Sequence, residues 1–191
     1  MSLKRTTDPA NPALSVANAK THCRVTGSDD DTEITAYISA ATDYVEAATG
    51  RQLVNGTYTL KLDTFPAEDY IELPRPPLSS VTSVKYYDTA GVQQTFSSDD
   101  YTVDTHSEPG RVVLNYGESW PNTRTQHQAV EIVFVAGYGA DDTSVPENLQ
   151  TAIRLLVGDF FENRESTTPI TLQTTKAVEN LLRSSSWGRY P

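Results

Sequence analysis

Residues 135–165 read VAGYGADDTSVPENLQTAIRLLVGDFFENRE, and the organisation of the whole chain follows from them. Just upstream, Val130, Ile132 and Phe134 alternate with Glu131, Val133 and Val135. That period of two predicts a strand with at least one buried face. Gly137 and Gly139 flank Tyr138, so the backbone can take positive φ twice and leave the sheet sharply. Ser144, with Glu147 three residues on, matches a capping box, and Pro146 falls in a first helical turn whose N–H groups are free in any case. Leu149, Ala152, Ile153, Leu156 and Phe160 then recur at helical spacing as one apolar stripe. VAGYG also matches the filter sequence of potassium channels. A filter needs flanking membrane helices, and no apolar run here reaches roughly 18 residues. The Asp141-Asp142 flank fits an exposed turn instead.

Working toward the amino terminus, residues 13–24 predict a short helix with a weak apolar face of Leu14, Val16 and Ala17, followed by Gly27. Asp30, with Glu33 three residues later, predicts the cap of a stronger helix. Its stripe is Ile34, Tyr37, Ile38, Ala41, Tyr44, Val45 and Ala48, and Gly50 stops it. The acids at 29–31 lack the glycine and the distal glutamate of a calcium loop, so capping is the reading adopted. The first dozen residues are polar and carry Pro9 and Pro12, which predicts an extended arm.

Between residues 55 and 135 the period changes from helical to alternating. Tyr58, Leu60 and Leu62 mark one strand, and Ile71 and Leu73 a second ahead of Pro74-Arg75-Pro76-Pro77. Residues 81–86 and 92–96 flank Asp88-Thr89-Ala90-Gly91, a hairpin turn. Residues 101–103 and 111–114 flank His106-Ser107-Glu108-Pro109-Gly110, a second hairpin. About seven short strands of this kind predict a small antiparallel sandwich or barrel-like unit.

The order is therefore helix, helix, strands, helix, tail, and the fold class is α+β. The expected division is one domain with an insertion: 1–54, arm and core helices; 55–136, an antiparallel β-rich insertion; 137–165, turn and core helix; 166–191, a short helix and a partner-binding tail. In that tail residues 176–183 form a helix carrying Val178, Leu181 and Leu182, and Trp187 and Tyr190 lie beside Arg183 and Arg189. Trp, Tyr and Arg are the usual anchors of protein interfaces.

The totals exclude several classes. At 191 residues with 37% hydrophobic and 21% charged residues, the chain has the composition of a globular protein with a substantial core. A net charge of −10 argues against sequence-independent nucleic-acid binding, which needs clustered Lys and Arg. It is compatible with a wall that DNA slides past. Cys23 is the single cysteine, which rules out an internal disulfide and a thiolate metal cluster. The opening MSLKRTTDPANP has no signal-peptide hydrophobic region. His22, His106 and His127 are not spaced as metal ligands, and no nucleophile elbow or phosphate loop is present. No catalytic residue, metal or cofactor is expected.

The turn AGYG, the Val-Pro at 145–146 and the helix ending in Glu162-Asn163-Arg164-Glu165 together resemble the head–tail connector (adaptor, or head-completion) proteins of long-tailed bacteriophages. Two further segments are similar to that family. Leu14, Ala17, Ala19, Lys20, Arg24 and Val25 sit close to its opening helix pattern, with His22-Cys23 where apolar residues are common. Residues 177–183 resemble its closing small-Val-acid-x-Leu-Leu-basic motif. The resemblance covers the two ends of the chain well and the β-rich middle poorly. It implies a virion neck protein, made in the bacterial cytoplasm and not an enzyme. It implies a twelvefold ring beneath the portal, extending the DNA channel and offering its lower face to the next neck protein. DNA would pass without specific binding, and the net charge of −10, not the resemblance, is what predicts an acidic lumen. Leu181, Leu182, Arg183, Trp187, Arg189 and Tyr190 are the residues expected to reach the portal or a neighbouring subunit.

Two alternatives stand beside it. One is a stopper or tail-completion protein deeper in the neck. The other, of a different class, is a small hydrolase using Asp99 or Asp100 with Glu118 as a carboxylate pair. Tyr116 and Trp120 would then offer a sugar-stacking platform, although packing of the loop accounts for such aromatics equally well.

Overall fold

The computed structural model describes residues 1–163 and 176–187. Among them are two antiparallel sheets and four α-helices, which makes the fold mixed α and β. The chain divides into two compact units, one formed by Met1–Pro9 and Asn55–Tyr138, the other by Ala10–Val54 and Gly139–Pro191.

The first unit holds the strands. Its five-stranded sheet runs β1 (Ser2–Thr7), β2 (Gly56–Leu62), β8 (Val130–Ala136), β4 (Leu78–Tyr87), β5 (Gln93–Thr95). The predicted strand at 130–136 is thus its centre, paired with β2 on one side and β4 on the other. Val130, Ile132, Phe134 and Ala136 are all buried, as the alternation requires. A second sheet orders β3 (Tyr70–Leu73), β7 (Gly110–Leu114), β6 (Tyr101–Asp104). Both sheets feed one core, in which Tyr58, Leu60, Phe65, Ile71, Leu73, Val84, Phe96, Val112 and Phe134 meet. The two predicted hairpins, β4–β5 and β6–β7, form with Lys85 opposite Thr95 and Tyr101 opposite Leu114. At the first turn the Asp88 carboxylate accepts the backbone N–H groups of Ala90 and Val92, and Gly91 takes φ 84°.

The amino end differs from expectation. It is no free arm: β1 is an edge strand of the larger sheet, with Leu3 opposite Leu60 and half-buried against the core. Thr6, Thr7 and Leu3 suit a pleated surface, and Lys4 and Arg5 place charge on an edge that would otherwise invite further pairing.

The second unit holds the helices α1 (Val16–Cys23), α2 (Asp31–Thr49), α3 (Glu147–Glu162) and α4 (Lys176–Arg183). Ile34, Ile38, Ala41 and Val45 of α2 bury against Leu149, Ala152, Ile153, Leu156 and Val157 of α3, with Leu14, Ala19, Leu53, Val178 and Leu182 completing the core. Ser15 caps α1 by accepting from the Asn18 N–H, and Arg24 closes it at φ 55°. Asp30 stands at the N-cap of α2, but its side chain makes no capping bond. Gly50 ends α2 at φ 73° as predicted. Lys20 ties the α1–α2 loop down by donating to the Gly27 carbonyl and pairing with Asp31.

Candidate partner-binding segment

The turn leading to α3 keeps only part of its expected chemistry. Gly137 takes φ 140°, and its N–H donates to the Pro77 carbonyl. Gly139 does not have positive φ. It is needed because a Cβ there would overlap the Ser144 side chain. Ser144 therefore caps nothing: it ends a short 3₁₀ turn, Asp142–Ser144, whose cap is the Asp141 carboxylate. Pro146, not Ser144, is the N-cap of α3, without a side-chain bond. Its carbonyl accepts from Leu149 and Gln150 at 2.9 and 3.1 Å. Glu147 is the first residue of the helix and pairs with Arg154 at 2.7 Å rather than reaching back to Ser144. Closure of the loop falls to Gln150, which is buried and whose amide donates to the Asp142 and Val145 carbonyls. A lone glutamine on an apolar stripe gives no sequence signal for that role.

The closing helix α4 lies on α3 through Val178 and Leu182, both buried. Leu182 is thus committed to its own unit and is removed from the expected interface surface. Leu181 and Trp187 are half-buried and Arg183 is exposed. Arg189 and Tyr190 lie outside the described residues, as do Arg164 and Glu165.

Polar clamps hold the segment after α4. The Asn148 amide donates to Ser185 Oγ at 2.8 Å. Arg51 Nε donates to the Ser185 carbonyl at 2.5 Å. The Trp187 N–H donates to the Thr49 carbonyl at 2.7 Å. The receiving turn is itself braced: buried Glu46 accepts from Gln52 Nε2 at 2.7 Å and from the Leu53 N–H at 3.0 Å. None of Asn148, Arg51 or Glu46 was distinguishable from ordinary helix-end polarity in the sequence.

The carboxylates weighed as a hydrolytic pair lie in the first unit, at one end of the three-stranded sheet. Asp99 and Glu118 are exposed and Asp100 is half-buried. Asp99 and Asp100 carbonyls accept from the Asn115 side chain and backbone N–H, so they frame a turn. Trp120 stacks on Phe65 with centroids 4.9 Å apart and planes 5° from parallel, and its Nε1 donates to the Glu68 carbonyl. It is partly buried and packs the loop onto the core. Among the described residues no group of three or more His, Cys, Asp or Glu side chains is placed to hold a metal ion. No described helix is long and apolar enough to cross a membrane.

Comparison with known proteins gives a consistent picture. The model of the family described as head completion protein matches residues 13–180. No curated protein matches the chain. Among solved structures, a chain from the neck of an empty gene transfer agent (GTA) particle with C6 symmetry is 26% identical, covering 100% of this chain and 98% of that chain with a TM-score of 0.84. Chains from the virion of the native GTA particle and from the neck of the native particle with C12 symmetry are also 26% identical, with the same coverage and TM-scores of 0.80.

Proposed function

This chain belongs to the head completion protein family, and from that premise we propose that it is a structural protein of the virion neck that acts as the adaptor beneath the portal. The observation that carries this reading is the end-to-end likeness to a neck chain, at a TM-score of 0.84 over 100% of this chain and 98% of that one. The C12 symmetry of one such neck supports a ring of twelve copies. A ring of identical subunits uses a heterologous, head-to-tail contact that closes on itself. The helical unit serves as the shared scaffold and the sheets as an elaboration of it. With a net charge of −10, the ring offers DNA a channel that repels rather than grips. The protein is not an enzyme in this role.

Of the residues expected at the interface, Leu181, Arg183 and Trp187 are the described ones with surface to offer the portal or a neighbouring subunit. The test is the light-scattering mass of the purified protein, alone and mixed with the cognate portal. A multi-copy complex with the portal supports the adaptor. An intact portal that ignores the protein at high micromolar concentration moves it to a later neck station, as a stopper or tail-completion protein.

A further inference from the structure

Tyr116 is the most exposed large hydrophobic side chain among the described residues, at 106% of its reference area. Its ring stands wholly in water at the tip of the turn that follows β7. It is also held firmly. Asn115, just before it, donates its N–H to the Asp100 carbonyl and its amide to the Asp99 carbonyl, while its Oδ1 accepts from Thr102 Oγ1. Glu118 closes the turn on the Asn115 carbonyl at 3.0 Å. Two residues further on, Trp120 is stacked into the core. The tip is therefore pre-organised, and a rigid aromatic loses little entropy on docking.

The surroundings select the partner's chemistry. The three segments that meet at this end of the sheet, residues 65–69, 96–100 and 115–121, contain Glu68, Asp69, Asp99, Asp100 and Glu118 and no lysine or arginine. An aromatic inside an acidic rim fits a surface that offers Lys or Arg around a small recess, with the guanidinium or ammonium free to lie on the ring. Nucleic acid is excluded by sign. With 15 Lys and Arg against 25 Asp and Glu in this chain, a partner richer in Lys and Arg matches the rim better than a second copy does.

We propose that Tyr116 and its acidic rim are the docking point for a basic surface on a different protein of the neck. The proposal rests on the neck reading above. It is tested with p-benzoylphenylalanine in place of Tyr116, irradiated in assembled particles and analysed by mass spectrometry. The expected adduct is to another protein, within a few residues of a Lys or Arg. An adduct solely to a second copy of this chain, or none, overturns it. In parallel Y116S and the double change D99K/E118K are expected to lower the yield of tailed particles at least tenfold, with Y116F close to wild type. Immunoblotting of the particles separates the two ideas. Absence of this chain from the virion sinks the neck reading and this one with it. Presence with an unaffected yield and no heterologous adduct sinks only the docking role.

Discussion

The backbone N–H of Trp187 donates to the carbonyl of Thr49 at 2.7 Å, which anchors the segment after α4 on the last turn of α2. Gly50 leaves room for the Trp187 backbone: a Cβ there would stand 3.1 Å from the Trp187 carbonyl oxygen, a tight approach, while Cε3 at 3.5 Å would be in ordinary contact. Gly50 also sits at φ 73°, where an L-residue is strained. Gly50→Ala is therefore expected to cost about 1–2 kcal/mol from the left-handed backbone alone, and to loosen Trp187. Urea denaturation measures the first, and a red shift of the tryptophan emission the second. Unchanged values for both would mean that the contact is incidental.

Glu46→Ala tests the brace beneath that anchor. Glu46 is 6% exposed and accepts from Gln52 Nε2 and the Leu53 N–H. Removing the carboxylate strands two buried donors, for a loss of at least about 1–3 kcal/mol. Glu46→Gln keeps an acceptor and should lose less. Equal midpoints for the two variants would show that the carboxylate's hydrogen bonds do not stabilise the helical unit.

In the sheet unit the corresponding position is Gly110, the first residue of β7, opposite Leu73. A Cβ at Gly110 would overlap Leu78 Cβ and come within 2.6 Å of its Cδ2. Leu78 is buried and has no room to retreat. Gly110→Ala is expected to destabilise by about 1–3 kcal/mol through overpacking. The double variant with Leu78→Ala should recover part of the loss if this overlap is its cause, and thermal denaturation of the single and double variants decides it.

Much of this was legible in the sequence because the signals were local. Gly50 and Gly91 mark positive-φ sites that the residue type itself announces, and the alternation at 130–136 makes a central strand because its partners need only be apolar. The misreadings share a different origin. Ser144 and Glu147 match a capping box, but the match ignores that Ser144 packs on Gly139, five residues earlier, and that Gln150 closes the loop. Residues 2–7 look like an arm because two prolines follow them, and nothing local announces a pairing with residues 57–61. Leu182 looked available as an interface residue, yet a short amphipathic helix buries one face somewhere. Sequence does not say whether that is on a partner or, as here, on the chain's own α3. Trp120 and Tyr116 are four residues apart and equally aromatic; only tertiary packing makes one a wedge and the other a tip.

Three exposed carboxylates of the sheet unit are held below their ordinary pKa by the groups that donate to them. Asp88 lies below its ordinary value because Gln94 and the Val92 N–H donate to it, with smaller help from Ala90. Asp104 is lowered first by the Ser107 hydroxyl, then by the N–H groups of Ser107 and His106. Asp63 is lowered first by the Gln128 N–H, at 2.7 Å, and by His127 beside it. A carboxyl whose folded pKa is depressed contributes stability above its unfolded value, about 3.9, and loses that contribution as pH falls through the folded value. Wild type should therefore be more stable than the triple change D63N/D88N/D104N near pH 6. The gap should close progressively below about pH 4, as the carboxylates are protonated and their negative charge is lost. Urea midpoints at pH 6, 4 and 3 measure it. A gap independent of pH would mean that the aspartates act through shape alone, and that their charge adds nothing to these turns.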